Sequence, residues 1–414
     1  MPLQVAIIGS GPAGCYLAER LVREAPGCRI DIIDRLPTPY GLVRAGVAPD
    51  HESTKAISRV FDRALTRDGV AFWGHVEVGR DVTLAELRQL YDAVVIATGA
   101  PRDRRLGVPG EDLAGVVPSG KFVGWYNSHP DCAGAPDLAG ARAAVVIGNG
   151  NVALDVVRLL AKTPAELAQS DIAPAVERVL ATMDLEVVHI VGRRGPEVAG
   201  FSPHELGELG ELARAQPIVD IADLPAEGAA PNQPVTATLA DFARRPNAGK
   251  PAAIHFHFHA SPARFTGTGR VAAAHFSRPD GAALVLPADL VVTCIGYQAA
   301  PCCGLSPDDG IFANSNGLIA PGLYVVGWAK RGPSGTIATN RGESHGVARR
   351  LAGEVTPADR PGGDALATLL ADRGTSRIDF AAWLRIDAAE RARGQPSRPR
   401  EKFATLAALL GSAA

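Results

Sequence analysis

Two glycine-rich turns hold the residues of this chain best suited to chemistry on phosphates. The first, Gly9-Ser10-Gly11-Pro12-Ala13-Gly14, reads G-x-G-x-x-G; the second, Gly148-Asn149-Gly150-Asn151-Val152-Ala153, reads G-x-G-x-x-A. In such a turn the first glycine permits a tight bend and the second lets a pyrophosphate reach the backbone. The third small residue lets a helix lie close on its strand. The N–H groups and positive dipole end of that helix then face the phosphates. A glycine-rich turn alone is a weak signal, so the flanking elements decide.

Those elements are at the required spacings. Val5-Ala6-Ile7-Ile8 is an apolar, β-branched run of the kind buried in a parallel sheet, and it leads straight into the first turn. A helix is predicted from Ala13 to about Glu24, then a strand from Arg29 to Ile33 ending at Asp34, an acid placed to hydrogen-bond an adenosine ribose. In mid-chain, Ala144-Val145-Val146-Ile147 enters the second turn. A helix to about Ala161, a helical excursion from Pro164 to about Met183 and a strand from Leu185 to Val191 follow. That strand ends at Gly192-Arg193-Arg194-Gly195, where a site for NAD would carry an acid. A carboxylate there repels a 2′-phosphate, whereas two guanidiniums grip it bidentately and stack on adenine. The pair predicts NADPH over NADH.

Two dinucleotide turns imply one bound flavin dinucleotide and one exchangeable nicotinamide. Tyr91 to Gly99 reads as a strand running into a tight Thr98-Gly99 turn, and Ala288 to Gly296 repeats the pattern, as expected where a chain crosses between nucleotide domains. The predicted architecture is α/β, with two Rossmann-like dinucleotide-binding domains built on parallel sheets with helices. The NADP-binding domain, residues 106–317, is inserted in a discontinuous FAD-binding domain made of residues 1–105 and 318–414.

Composition narrows the class. The chain has 414 residues, 46% hydrophobic and 21% charged, with a formal net charge of −2. That fits a globular protein of two domains and gives no global pull toward nucleic acid or membrane. No apolar run reaches the length of a membrane span, and the first residues lack a basic signal region, so a cytoplasmic monomer is expected. None of the six cysteines forms a C-x-x-C pair, and adjacent Cys302-Cys303 reads as a loop pair of free thiols.

Further stretches carry a family resemblance: Pro39-Tyr40-Gly41-Leu42-Val43-Arg44, Gly46-Val47-Ala48-Pro49-Asp50-His51, Gly192-Arg193-Arg194-Gly195-Pro196, and Gly327-Trp328 through Thr339. With the two turns, these resemble the adrenodoxin reductase type of ferredoxin–NADP reductase over about residues 3 to 350. The resemblance implies FAD held by Ala13, Asp34, Leu42, Val78, Trp328, Gly335, Thr336 and Ile337, beside the glycines of the first turn, Pro12, Thr98 and Gly99. It implies NADPH held by Arg104, Asn149, Gly150, Asn151, Val152, Arg193, Arg194, Glu205 and Gly335. The activity implied is ferredoxin–NADP(+) reduction, electrons passing from NADPH through FAD to an acidic iron–sulfur protein of the ferredoxin kind. Gly335-Thr336-Ile337, opening a helix, would turn N–H groups toward negative charge on reduced flavin. His51, with Glu205 or Glu208, would tune the site or relay a proton, the alternative for His51 alone being a purely structural hydrogen-bonding role. Glu197-Val198-Ala199-Gly200-Phe201, near Glu205, is more acidic than the family pattern.

Other constellations read as less informative. His255, His257 and His259 alternate with apolar residues and would project from one face of a solvated strand rather than form a metal site, so no metal is expected. Basic clusters at Arg102-Arg104-Arg105, Arg244-Arg245 and Lys330-Arg331 are solvated charge that could meet an acidic ferredoxin. A thioredoxin-reductase-like or glutamate-synthase-like enzyme would need cysteine motifs that are absent. An NADPH:quinone or dye reductase shares the same sites, and a non-catalytic NADPH sensor would need no flavin segment.

Overall fold

Short runs of Val, Ile and Ala form the strands on which both halves of the chain are built. In the computed structural model, which describes residues 1–225, 232–394 and 396–413, these runs fall into two units. The first comprises Met1–Arg102, Asn127–Asp131 and Gly296–Ala414, and the second Asp103–Tyr126 and Cys132–Ile295.

In the first unit, β1 (Gln4–Ile8), β2 (Arg29–Asp34), β3 (Val70–Gly74) and β4 (Ala93–Ile96) are parallel. The chain returns to this sheet after the second unit. Of its two late strands, β14 (Leu318–Ala320) and β15 (Leu323–Val325), the latter lies parallel to β4. The order across the sheet is β14-β15-β4-β1-β2-β3, with only β14 antiparallel. Alternation divides the strands between two faces. Val5, Ile7, Ile30 and Val95 pack with Leu17, Leu21, Phe61 and Leu351 on one side. Ala6, Ile8, Ile33 and Val94 pack with Leu366 and Leu370 on the other. Both faces are therefore buried, as parallel sheets require.

The second unit holds β5 (Val116–Pro118), β6 (Ala143–Ile147), β7 (Val187–Val191), β8 (Ala215–Ile218), β9 (Ala252–His257) and β13 (Leu290–Thr293). They form an all-parallel sheet in the order β5-β13-β6-β7-β9-β8. One face is covered by helices through Leu154, Val157, Leu206 and Leu239. The other carries an antiparallel three-stranded sheet, β10 (Ser261–Thr266), β11 (Ala273–Ser277) and β12 (Ala283–Pro287), packed through Phe265, Phe276 and Leu286.

Apart from the short return at Asn127–Asp131, the chain changes unit at Arg102/Asp103, shortly after the first strand-to-turn element, and at Ile295/Gly296, at the end of the second. The latter change lies ahead of the position predicted from sequence, residue 318. Residues 296–317 belong with the first unit because Ala299 and Phe312, each 2% exposed, complete the core around Val94, Ile96 and Val325. The C-terminal segment folds into the first unit as helices Gly362–Asp372, Phe380–Arg393 and Leu406–Gly411. Among the described residues no helix is long and apolar enough to cross a membrane.

Candidate functional site

In the first unit the strands β15, β4, β1 and β2 run the same way, so their C-terminal ends share one edge of the sheet. That edge presents Gly327-Trp328, Thr98-Gly99, the glycine turn and Asp34 in turn. The strand order reverses at β1, with β2 on one side and β4 on the other, which is where open α/β sheets bind ligands. The glycines divide their roles. Gly9 has φ 112° and stands against the Ala97 carbonyl, while a Cβ on Gly14 would collide with the Gly9 carbonyl. A Cβ on Gly11 would meet nothing within 4 Å, so the turn is open at the position where a phosphate approaches. Helix Pro12–Glu24 starts there with Pro12 in its first turn. The Asp34 carboxylate accepts Ser10 N–H at 2.9 Å and Leu36 N–H at 3.0 Å, tying the strand end to the turn.

The stretch Pro39–Arg44 is strapped down from its two ends. Tyr40, with φ 81°, donates to Asp62 and accepts from the Trp383 indole at 3.2 Å. Arg44 reaches Glu390, whose side chain is 0% exposed, through two bonds of 2.8 and 2.5 Å, and its guanidinium lies 5.1 Å over the Trp383 ring. Helix Phe380–Arg393 thus fixes the segment, leaving Gly41 against Gly11 and Leu42 48% exposed. Val78 is half-buried shortly after β3.

The Gly327–Ile337 segment meets the first turn directly: a Cβ on Gly327 would lie 2.6 Å from the Ala13 Cβ. Trp328 stacks on Tyr297, ring centroids 6.1 Å apart at 14°. Gly335 (φ 76°) and Thr336 are exposed at the start of the 18-residue helix Ile337–Glu354, which packs on helix Pro12–Glu24. The basic residues beside them are not free charge. Glu343 takes Lys330 at 3.3 Å and Arg331 at 3.2 Å, so one carboxylate holds both cations. The sequence reading of Lys330-Arg331 as solvated charge is corrected by a carboxylate one helical segment away.

In the second unit the other turn repeats the geometry. A Cβ on Gly148 would collide with the Cys294 carbonyl, and one on Gly150 would meet nothing within 4 Å. Helix Asn151–Ala161 follows. The Asn149 side chain lies across Gly192, and its buried Oδ1 has no hydrogen-bond partner among the described residues. At the end of β7, Arg193 and Arg194 are both exposed, and neither is in an ion pair among the described residues. Arg104 is exposed in the same unit.

The stretch after the arginines is clamped to the turn. The Gly200 N–H donates to the Asn149 carbonyl at 2.7 Å, and the Ser202 N–H donates to Asn151 Oδ1 at 2.7 Å. Ser202 then caps helix Pro203–Glu208 by accepting Glu205 N–H at 3.2 Å. Glu205 is therefore positioned from the turn itself. Glu208 is engaged differently: it lies 3.2 Å from Arg158, whose side chain is 1% exposed and also pairs with Asp155 at 2.7 Å. That gives Glu208 a structural task, balancing a buried cation. His51, at the start of the short helix Glu52–Lys55, belongs to the first unit.

The histidine comb differs from expectation. Only His255 and His257 lie in β9; His259 has left the strand with φ 54°. The two are half-buried rather than solvated, and they face His189 on β7, whose Nδ1 is 3.0 Å from His257 Nε2. Among the described residues no group of three His, Cys, Asp or Glu is placed to hold a metal ion. Burial, then the neighbouring rings, holds His189 down to about 3 and His257 to about 4.

Two parallel-sheet units, each with a glycine turn at its switch edge, define a pyridine-nucleotide oxidoreductase architecture. Residues 3–194 match the family described as "Pyridine nucleotide-disulphide oxidoreductase". The NADPH-ferredoxin reductase FprA of Mycobacterium tuberculosis is 40% identical over 99% of this chain and 98% of its own length. Human mitochondrial NADPH:adrenodoxin oxidoreductase is 38% identical over 97% of this chain and 90% of its own. A solved structure of the mycobacterial protein in complex with NADPH superposes with a TM-score of 0.93, at 39% identity, covering 100% of both chains. The chain belongs to the adrenodoxin reductase-type ferredoxin–NADP reductase family.

Proposed function

We propose that this protein is an FAD-containing, NADPH-dependent reductase that passes electrons to a ferredoxin-type iron–sulfur protein. The observation that carries the assignment of the two sites is the contrast between their strand ends. One turn is followed by a carboxylate, Asp34, and the other by two exposed guanidiniums, Arg193 and Arg194. Only the second suits the extra phosphate of NADPH. Both turns fit a dinucleotide, because each leaves its middle glycine open while the first glycine is packed against a backbone carbonyl, Ala97 for Gly9 and Cys294 for Gly148.

FAD is then held in the first unit by Gly9, Gly11, Pro12, Ala13 and Gly14 around the pyrophosphate and by Asp34 at the ribose. Leu42, Val78, Thr98, Gly99, Trp328, Gly335, Thr336 and Ile337 complete its surroundings. NADPH takes Asn149 to Val152 at its pyrophosphate, Arg193 and Arg194 at its 2′-phosphate, and Arg104, Glu205 and Gly335 elsewhere along its length. A bound flavin supplies the ability to accept two electrons together and release them singly. The N–H groups of Gly335 and Ile337 stabilise negative charge brought to the helix start, while the Thr336 N–H donates to Thr339 Oγ1 at 3.0 Å and fixes that start in place. His51 and Glu205 position groups or carry protons, while Glu208 supports the site through Arg158. The partner is an acidic ferredoxin, steered by exposed basic residues such as Arg244, and the working form is a monomer.

The test compares two acceptors as salt is raised. NADPH-driven reduction of an acidic ferredoxin is expected to slow, because exposed charges act on association rate and are screened over about 8–10 Å. Reduction of a small neutral dye is expected to change little. If both rates respond alike, or if no ferredoxin outpaces the dye, the iron–sulfur partner is wrong and direct reduction of quinones or dyes takes its place.

A further inference from the structure

The loop between Gly296 and Phe312 holds two adjacent thiols that neither nucleotide turn uses. Cys302 and Cys303 are both partly exposed, and their sulfurs lie 2.7 Å apart. A tight turn holds them there: Cys302 N–H donates to the Leu305 carbonyl at 3.0 Å and Leu305 N–H returns to Cys302 at 2.9 Å. Cys303 takes the left-handed backbone region with φ 59°. Either thiol can donate in this contact, and the shared proton favours a thiolate on the accepting sulfur; Cys302 moves below its ordinary value and Cys303 rises. One sulfur is thereby the better nucleophile, and the other waits beside it as the resolving thiol.

The remaining cysteines lack this arrangement. Burial pushes the thiols of Cys15 and Cys294 up, and Cys28 up to about 11.

We propose that Cys302 and Cys303 form a reversible oxidation site that closes to a vicinal disulfide under a peroxide. The Cys302 thiolate attacks one oxygen of hydrogen peroxide: an S–O bond forms, the O–O bond breaks, and hydroxide leaves to become water. The Cys303 thiol then attacks the Cys302 sulfur. An S–S bond forms, the S–O bond breaks, and the second oxygen leaves as water with the Cys303 proton. Two thiols are oxidised and one peroxide is reduced to two waters. Adjacent Cα atoms are only about 3.8 Å apart, closer than in ordinary disulfides, so the bond is strained and readily reduced again.

The full-length protein, reduced and freed of reductant, is exposed to hydrogen peroxide, alkylated with iodoacetamide, digested and weighed. The peptide holding both cysteines should lose the mass of two hydrogens and take no alkyl group, and dithiothreitol should restore two alkylation sites. Cys303→Ser should instead trap a sulfenic acid at Cys302 that dimedone labels, and Cys302→Ser should leave Cys303 open to alkylation. The proposal is overturned if both thiols stay alkylatable at peroxide levels that oxidise Cys132. It also fails if both go to sulfinic acid without pairing, or if the disulfide links two chains.

Discussion

Acidification should weaken the second unit through its three-histidine cluster. His189 and His257 share a ring–ring hydrogen bond of 3.0 Å, with His255 and the Arg278 charge nearby opposing any added proton. Their folded values are about 3 and about 4, against 6.5 in the unfolded chain. The unfolded chain therefore takes up protons below pH 6.5 that the folded chain refuses. The stability these rings contribute is complete above pH 6.5 and drains away as pH falls through 6.5 toward 4 and 3. At pH 5, about 1.5 pH units below the unfolded value, linkage gives about 2 kcal/mol for each ring. The rings titrate as a coupled pair and His257 is partly in water, so about 2 kcal/mol for both together is the working figure. The perturbation is His189→Asn with His257→Gln, which removes the titration and keeps polar groups of similar reach. Urea unfolding at pH 7 and pH 5, with hydrogen exchange of the β7 and β9 amides to localise it, compares the two proteins. The unaltered chain should lose about 2 kcal/mol more than the variant between those pH values. Equal losses would refute the reasoning, because the rings would then be titrating as they do in water.

Arg193→Ala with Arg194→Ala should raise KM for NADPH far more than for NADH, by about 2–4 kcal/mol, without loss of fold, since both side chains are exposed. Equal changes for the two coenzymes would show that the pair does not read the 2′-phosphate. The protein should purify yellow with about one FAD per chain. Gly11→Ala should then lower flavin retention while the apoprotein melts normally, whereas Gly14→Ala should lower the melting temperature itself. The reverse pattern would mean that the open position is not where the pyrophosphate lies. Arg44→Ala should cost about 3 kcal/mol in stability, because it leaves the fully buried Glu390 carboxylate without its bidentate partner. A loss below about 1 kcal/mol would show that Arg400, 3.6 Å from Glu390, suffices alone.

What could be read from the sequence was local. Strand, glycine turn, helix and strand-end charge lie within about thirty residues in the first unit and about fifty in the second, so the order of local elements brings Gly9, Gly11, Gly14 and Asp34 to one edge, and likewise Gly148, Gly150 and Arg193. What could not be read depends on partners distant in the chain. Arg44 looks like part of a loop motif until Glu390, 346 residues on, is seen to hold it. His255 and His257 look solvated until His189, 68 residues before His257, is found across the sheet. The crossing at Gly296 escaped because residues 296–317 have little periodic pattern, and their place is set by Ala299 and Phe312 filling a core already formed by others. Lys330 and Arg331 sit only 13 and 12 residues from Glu343, yet an intervening glycine-rich bend hides the pairing from any helical spacing rule.

The position of β15 next to β4 has a consequence for vectorial synthesis. The sheet of the first unit lacks a central-side strand until residues 323–325 leave the ribosome, and Arg44 lacks its anion until Glu390 does. The inserted unit, by contrast, is complete once Ile295 has emerged. The part encoded in the middle is thus the first able to close its core, and the part that begins the chain must wait, open along one edge, for its own far end. A ribosome pausing once residue 295 has emerged would display a finished coenzyme module attached to half of a flavin module.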